Sequence, residues 1–470
     1  MTTVLPWRYG ATTTAHATAV AVSNPVRSRG HLQRLLGVGF GIAVGIGATI
    51  GPSILRTPGE VAAQVRSAWL IIAIWVVGGI YAFFGTVCIT ELATMLPQEG
   101  GWYVYSRAAF GEYAGFLVGC CDWTMQAASI GYSAIAFGEF TIGLRADLAP
   151  HLKLLAIASV VILTALNWIG LRSSSRTQEL TSLIKSLALL GFIGACFVFS
   201  PAGPASGAST LPILPVLHGG MLLALVIAMQ AVVATYDGWY SAIYFMEEDK
   251  NPAKNLPRSA IGGVVMCIAI FVLVNVALLH VLSVPGLAGS EVPAADAAML
   301  IFGAHGKQII LVIAIVTVLS SMNASLLCSS RILFALGRDR LLPPWLASVN
   351  SGGTPAKALL MCAAVSLALV VSGTFETLIA IATFLFVTVY ISGFSALFRL
   401  RKQQPMLARP FRTWGYPWSA LGVLLASAGF LISAVISDLK HSLFTLVLIA
   451  VNYPIYFFWI KRRAARQIGA

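Results

Sequence analysis

Three charged side chains stand where charge is expensive. Asp237 lies in Ala234-Thr235-Tyr236-Asp237-Gly238-Trp239, inside an apolar run, and Asp122 lies between Cys121 and Trp123 in another. Lys185 follows Arg176 by nine residues, about 13 Å along a helix. Ionised groups at such depth are costly in a bilayer, and where they persist they mark sites, relays or buried pairs. Asp237 can meet a cationic group of a ligand or cap the helix stub that follows Gly238. Asp122 reads first as a structural partner and second as a proton carrier. Lys185 is either functional or a lysine that snorkels to the headgroups. Ser320, Ser321 and Asn323 add two hydroxyls and an amide to a further apolar run, where interhelical hydrogen bonding is the alternative reading.

Arrangements that do covalent chemistry do not accompany them. His16, His31, His151, His218, His280, His305 and His441 have no metal-ligand spacing, and there is no nucleophile–base pair and no Walker A loop. The seven cysteines (Cys88, Cys120, Cys121, Cys196, Cys267, Cys328 and Cys362) all fall inside apolar segments and read as small buried hydrophobes. The chain is therefore expected to be no enzyme, with no catalytic residue, no metal and no cofactor.

The elements that hold these residues follow from composition. Of the 470 residues 58% are apolar and only 10% charged, against roughly 25% charged in soluble domains. A soluble protein, a disordered chain and a disulfide scaffold are excluded, which leaves a polytopic membrane protein. Apolar runs long enough to cross a bilayer have cores at 35–57, 68–93, 112–143, 153–170, 178–200, 219–246, 259–283, 308–336, 357–373, 376–399, 417–437 and 442–460. None alternates as a barrel strand would. The expected fold is an all-α polytopic bundle of twelve transmembrane helices, with the lipid bilayer as its main partner.

A net charge of +13 does not point to nucleic acid, because the basic residues sit in short clusters between apolar runs. With both termini cytoplasmic, the inner segments hold 23 Lys and Arg and the outer ones six: Arg56, Arg66, Arg145, Lys153, Lys307 and Lys440. That asymmetry is the positive-inside pattern, and it places the chain as a multi-pass protein of the plasma or inner membrane. Glu91 and Glu99 are expected to pair with loop arginines on the inner side, and residues 291–303 to form a short outer helix.

Two runs are interrupted at matching places. The first reads Gly45-Ile46-Gly47-Ala48-Thr49-Ile50-Gly51-Pro52-Ser53, where Pro52 removes a backbone donor among loosening glycines. The second is Tyr236-Asp237-Gly238-Trp239, 186 residues after Gly51 when counted to Asp237. Each break opens a block of five runs. That is the pattern of a five-plus-five inverted-repeat transporter, in which discontinuous helices 1 and 6 line the substrate site near the bilayer midplane. Freed N–H and C=O groups are tolerated there only facing a cavity or protein. The division is a tail at 1–34, a first repeat at 35–200, an outer linker at 201–217, a second repeat at 218–400, and 401–470 with the last two helices and a cytoplasmic tail.

Four segments, in order, resemble the amino acid–polyamine–organocation superfamily of permeases, closest to the L-type amino acid transporter branch and its bacterial relatives. They are Gly47 to Gly59 around the first break; Glu91-Leu92 through Pro97 and Gly100-Gly101 to Tyr105; Tyr236-Asp237-Gly238-Trp239 with Glu247-Glu248 and Asn251 to Pro257; and Ser330-Arg331 through Arg338-Asp339 to Pro343. The resemblance implies a LeuT-like fold and a secondary transporter of amino acids working by alternating access. Substrate would meet backbone and side chains at Thr49, Ile50, Gly51, Pro52, Ser53, Ala234, Tyr236, Asp237, Gly238 and Trp239. Pro52 and Ser53 stand where the family often has Ser and Gly. Lys185 resembles a fifth-helix lysine whose ammonium replaces a sodium ion and bridges helices 1 and 8. Lys185, Ser320 and Ser321 are thus the expected coupling residues, with transport sodium-independent and either proton-coupled or exchanging. The outer loop from Arg145 to Lys153 lacks the cysteine through which some relatives bind a heavy chain, so no disulfide-linked heavy chain is expected. The other readings are a polyamine or amine-type organocation antiporter and, in a different class, a non-transporting membrane amino acid sensor.

Overall fold

The computed structural model describes residues 32–199 and 220–468. Most of the tail 1–34 and all of the linker 201–217 lie outside the described residues. The first half holds α1 (Val38–Thr49), α2 (Thr57–Val65), α3 (Ala68–Met95), α4 (Trp102–Phe110), α5 (Glu112–Leu144), α6 (Leu152–Ile169) and α7 (Leu171–Phe199). Next come α8 (Gly220–Tyr236), α9 (Pro252–Val281), α10 (Val284–Ala288), α11 (Pro293–Phe302), α12 (Gly306–Arg338), α13 (Ala356–Ser372) and α14 (Phe375–Gln403). The last two are α15 (Trp418–Ser437) and α16 (Leu439–Ile468).

Among the described residues ten helices are long and apolar enough to cross a membrane, and α1 and α13 are shorter apolar helices. These two stand at the first and ninth expected crossings. α1 is short because Pro52 cannot donate to the carbonyl of Ala48, so the first crossing is shared by α1, a 3-10 turn at Pro52–Leu55, and α2. α13 has 17 residues, about 26 Å of rise, a little under a bilayer core of about 30 Å. The short helix α4 was not foreseen from the sequence; α11 occupies the position expected of an outer helix.

Packing divides the bundle. α3 packs on both α8 and α9, with α9 also on α1 and α8 on α2, while α5, α6, α12 and α13 form a second group. α7 touches both through α1, α9 and α12, and α14 packs on α5, α4 and α15. At one end, called the near end below, Leu36 donates its N–H to the Glu248 carbonyl (3.0 Å) and accepts from Lys250 N–H (3.1 Å), tying the start of the described chain to the segment after α8. The far end carries Arg56, Glu139 and Arg145.

Candidate functional site

The first break is a backbone accounting problem. α1 ends at Thr49, Ile50 leaves the helical region (ψ 87), and Gly51 is extended. Carbonyls at a helix C-terminus have no intrahelical partners and carry the negative end of the dipole. Lys185 supplies the donors: its Nζ gives hydrogen bonds to the carbonyls of Gly47 (2.9 Å) and Ile50 (2.8 Å), and its side chain is fully buried. One turn earlier Ser182 Oγ donates to the Ala43 carbonyl at 2.7 Å. Past the break, Gly51 N–H is spent on the Thr49 carbonyl (2.9 Å) and Pro52 has none. Ser53, in the first turn of the 3-10 segment, is left with an N–H that has no intrahelical acceptor.

The second break meets the first. α8 stops at Tyr236, and Gly238 takes φ +105, a conformation side chains rarely adopt. A Cβ there would lie 2.7 Å from the carbonyl carbon of Ala48 and 2.8 Å from Thr49 N, so glycine is what lets the two interrupted helices touch backbone to backbone. Ser241 holds the turn, donating N–H (3.0 Å) and Oγ–H (2.8 Å) to the Gly238 carbonyl. Asp237, half-buried, accepts a hydrogen bond from the Tyr390 hydroxyl of α14. Among the described residues no cation lies within ion-pair distance of it.

Between the breaks is a cavity of about 220 Å³, below the roughly 300–1,000 Å³ of drug-sized pockets, and therefore a place for a small solute. Thr49, Gly51, Pro52 and Ser53 line it from one break, and Ala234, Asp237 and Gly238 from the other. Gly51 faces open space, since a Cβ there would meet nothing within 4 Å. Ser321 and Ser325 of α12, Gln126, Ser129 and Ser133 of α5, and Thr383 of α14 add polar groups. Toward the far end Arg56 and Glu60 complete the lining.

Five of the expected site residues stand outside that lining. Ile50 turns its carbonyl to Lys185. Tyr236 is fully buried, stacks near Trp75 and Phe271, and donates its hydroxyl to the Trp75 carbonyl (3.1 Å). Trp239 packs in an aromatic cluster with Trp102, Tyr240 and Tyr390, behind the cavity wall. Lys185 lies beneath the first break, and both its hydrogen bonds go to helix 1 and none to α12. Ser320 belongs to a polar chain that carries that link in its place. Gln178 Nε2 reaches Ser320 Oγ (3.3 Å), Asn323 Nδ2 donates to Gln178 Oε1 (2.7 Å), and Asn167 Nδ2 donates to Asn323 Oδ1 (2.8 Å). Sequence reasoning missed Gln178, Ser182 and Asn167; their only signal was polar residues at helical spacing among apolar ones.

The near end is closed by charge. Arg331 and Glu248 form a buried ion pair with three hydrogen bonds of 3.0 to 3.2 Å. Arg338 pairs with Glu247 and Asp339, and Asp339 also takes Arg107 (2.6 Å) and the Tyr103 hydroxyl (2.7 Å). Tyr244 donates its hydroxyl to the Asp122 carboxylate (2.8 Å), giving Asp122 its structural partner. Glu91 has the arginines expected of it, Arg401 (2.5 Å) and Arg409 (3.3 Å). Glu99 does not: its carboxylate accepts the Glu247 N–H (3.1 Å), because the nearby arginines are already held by Glu247, Glu248 and Asp339. Among the described residues no group of three or more His, Cys, Asp or Glu could hold a metal ion.

Two touching helix breaks thus line one small cavity. The family profile described as "Amino acid permease" matches residues 32–460. The chain is 28% identical to the serine/threonine exchanger SteT of Bacillus subtilis (strain 168), over 92% of this chain and 98% of that protein. It is 26% identical to the b(0,+)-type amino acid transporter 1 of Mus musculus, over 91% of this chain and 88% of that protein. It is 27% identical to the Asc-type amino acid transporter 1 of Mus musculus, over 81% and 73% respectively. The chain belongs to the amino acid permease family of the amino acid–polyamine–organocation superfamily, a multi-pass membrane protein whose relatives are transporters and not enzymes.

Proposed function

We propose that this protein is a secondary active transporter that moves amino acids by alternating access. The observation that carries the reading is that two helix breaks touch each other and line one small cavity. The carboxylate of the substrate meets the Ser53 N–H at the positive start of the Pro52–α2 segment. Its ammonium meets Asp237 and the carbonyls of the second break. The α1, α3, α8 and α9 group rocks against the α5, α6, α12 and α13 group, with α7 between them. The near end is cytoplasmic, in keeping with the Lys and Arg count and both termini inside, and 35–200 and 218–400 are the two inverted repeats, making twelve crossings.

Transport is sodium-independent, because the helix 1 carbonyls that a cation would use are occupied by the Lys185 ammonium. The first substrates to test are serine and threonine, which one relative exchanges by name and which suit a cavity of about 220 Å³. An amine or polyamine substrate is the second reading, and the half-buried Asp237 without a neighbouring cation favours it. All seven cysteines are buried, so the protein works without a disulfide-linked subunit.

The test is exchange in proteoliposomes loaded with each of the twenty amino acids or with polyamines. Sodium is replaced by potassium, with and without an inward pH gradient, for wild type and Lys185→Ala. Amino acid exchange in potassium, lost in Lys185→Ala, is the expected result. No flux with any amino acid would overturn the reading. A strict sodium requirement would overturn the role of Lys185. A response to the pH gradient separates proton symport from pure exchange. Gly51→Leu, which fills the cavity, is expected to stop flux with expression intact.

A further inference from the structure

The near-end charges cross the seam between the two packing groups. Glu247 and Glu248 lie in the segment between α8 and α9, which Leu36 ties to the start of α1 through the Glu248 carbonyl and the Lys250 N–H. Arg331 and Arg338 belong to α12, and Glu99 lies in the loop where α3 leads into α4, a helix packed on α5 and α14. Glu99 and Glu247 exchange hydrogen bonds across this seam, each backbone N–H donating to the other's carboxylate at 3.1 Å. Every guanidinium in the cluster already faces a carboxylate. Arg331 is spent on Glu248, Arg338 on Glu247 and Asp339, and Arg107 on Asp339 and Glu112. Arg338 reaches Glu99 only at its backbone carbonyl (3.5 Å). The Glu99 side chain is the carboxyl left over, fully buried, and its Oε2 has no partner. Tyr105 of α4 and Cys328 of α12 also face it, and neither brings a positive charge. Against Gly101 stands the Tyr244 ring, whose hydroxyl is held by Asp122 of α5. An ionised carboxylate buried without a cation is far costlier than a neutral carboxyl.

We propose that Glu99 is a proton-binding site of the closed near end. The carboxyl holds a proton while the seam is shut. When the two groups part, the Glu99–Glu247 bonds break and water reaches the carboxyl. Its O–H bond then breaks, and the proton passes to near-side water. Closing takes a proton back from the same side, so none crosses the membrane with substrate. Glu99 is thus a gate that reads near-side pH, distinct from a coupling site. The sign follows from linkage. Burial holds the closed-state carboxyl well above the usual 4.5, with the Glu248 charge acting the same way and Arg331 opposing. Contact with water returns it toward that value. Above about pH 4.5 the shut end keeps a proton that the open end releases, so raising near-side pH favours opening. The proposal rests on the alternating-access reading above.

The experiment is exchange in proteoliposomes of fixed orientation, with the amino acid best carried in the assay above, serine first. Near-side pH is stepped from about 5.5 to about 8 with the far side held at about 7, and then the sides are reversed, so that linkage is read on each face. Wild type is compared with Glu99→Gln and Glu99→Asp. The wild-type rate is expected to rise about threefold or more with near-side pH and to stay within about twofold as far-side pH changes. Glu99→Gln, a permanent stand-in for the protonated carboxyl, is expected to give a flat profile as slow as wild type in acid. Glu99→Asp keeps a carboxyl and should keep the response. A near-side response that survives in Glu99→Gln would overturn the gate. So would a wild-type rate that ignores near-side pH or answers equally to both sides. If wild type exchanges none of the twenty amino acids, the transport reading falls and the gate falls with it; exchange without a near-side response sinks the gate alone.

Discussion

At the near end Arg331 and Glu248 share three hydrogen bonds and are 1% and 0% exposed; at the far end Arg56 and Glu139 stand 3.9 Å apart, 37% and 40% exposed. The residue types are the same and the physics is not. The near-end pair has left water, so each charge depends on the other. The far-end pair keeps much of its hydration. The charges of the near end hold one another out of water, while those of the far end stay in contact with it. The cavity follows the same asymmetry, since Arg56 and Glu60 line it while the near-end arginines do not.

The largest effect should come from separating the buried pair. Removing one partner of a desolvated ion pair strands the other, at a cost of about 3–5 kcal/mol. Glu248→Ala and Arg331→Ala are each expected to lower the melting temperature in detergent sharply. Replacing both together, Glu248→Leu with Arg331→Met, should recover most of the loss, because hydrophobic residues of similar volume often match a buried pair. If the double variant is as damaged as either single one, the pair is doing more than neutralising itself.

A smaller effect, and one that varies with pH, belongs to Glu99 in the loop between α3 and α4. It is fully buried and one carboxylate oxygen has no partner. Burial pushes its carboxyl well above the usual 4.5, the Glu248 charge pushes the same way, and Arg331 opposes. Glu247 and Arg338 are the other charges beside it. Glu248 is raised as well, by burial against the pull of Arg331. The sign is that of a group held protonated when folded. Above about pH 4.5 the unfolded chain releases a proton that the folded chain keeps, so stability falls as pH rises through the window from 4.5 to the raised value. Thermal melts across that window should show the near end strongest in acid, and Glu99→Gln should flatten most of the slope. A wild-type melting curve that does not change with pH would mean Glu99 is ionised and paired after all.

The same asymmetry explains what the sequence made legible. The two breaks could be read because their causes are local: a proline without a donor at 52, and a carboxylate beside a glycine at 237–238. Lys185 stood out by depth alone, and its hydrogen bonds are to helix 1. Its expected bridge to α12 was misplaced because Ser182 and Gln178, one and two turns away on the same helix, carry that link, and nothing local distinguishes such residues from a polar stripe. Trp239 and Tyr236 read as pocket walls because they adjoin the break. Side chains leave a turn in opposite directions, and these two go to the core. Tyr390 is 153 residues from Asp237, so no local pattern could pair them. Arg56 was one more outer-side charge in the count of basic residues, and only the fold brings it to the lining of the central cavity.

The smallest expected effect is the control that makes the comparison one of burial and not of distance. Arg145 and Asp147 at the far end have better geometry than Arg56 and Glu139, with two hydrogen bonds of 3.0 and 2.9 Å. Yet the two side chains are 70% and 60% exposed, and water solvates each charge nearly as well as its partner does. They are also two residues apart in the chain, so the unfolded state can make the same contact and it cancels from the difference between states. Arg145→Ala should leave the melting temperature within error of wild type at low and high salt alike. A drop approaching that of Arg331→Ala would show that short N–O distance, regardless of exposure, sets the strength of these pairs, and the contrast between the two ends would then have to be explained by something other than desolvation.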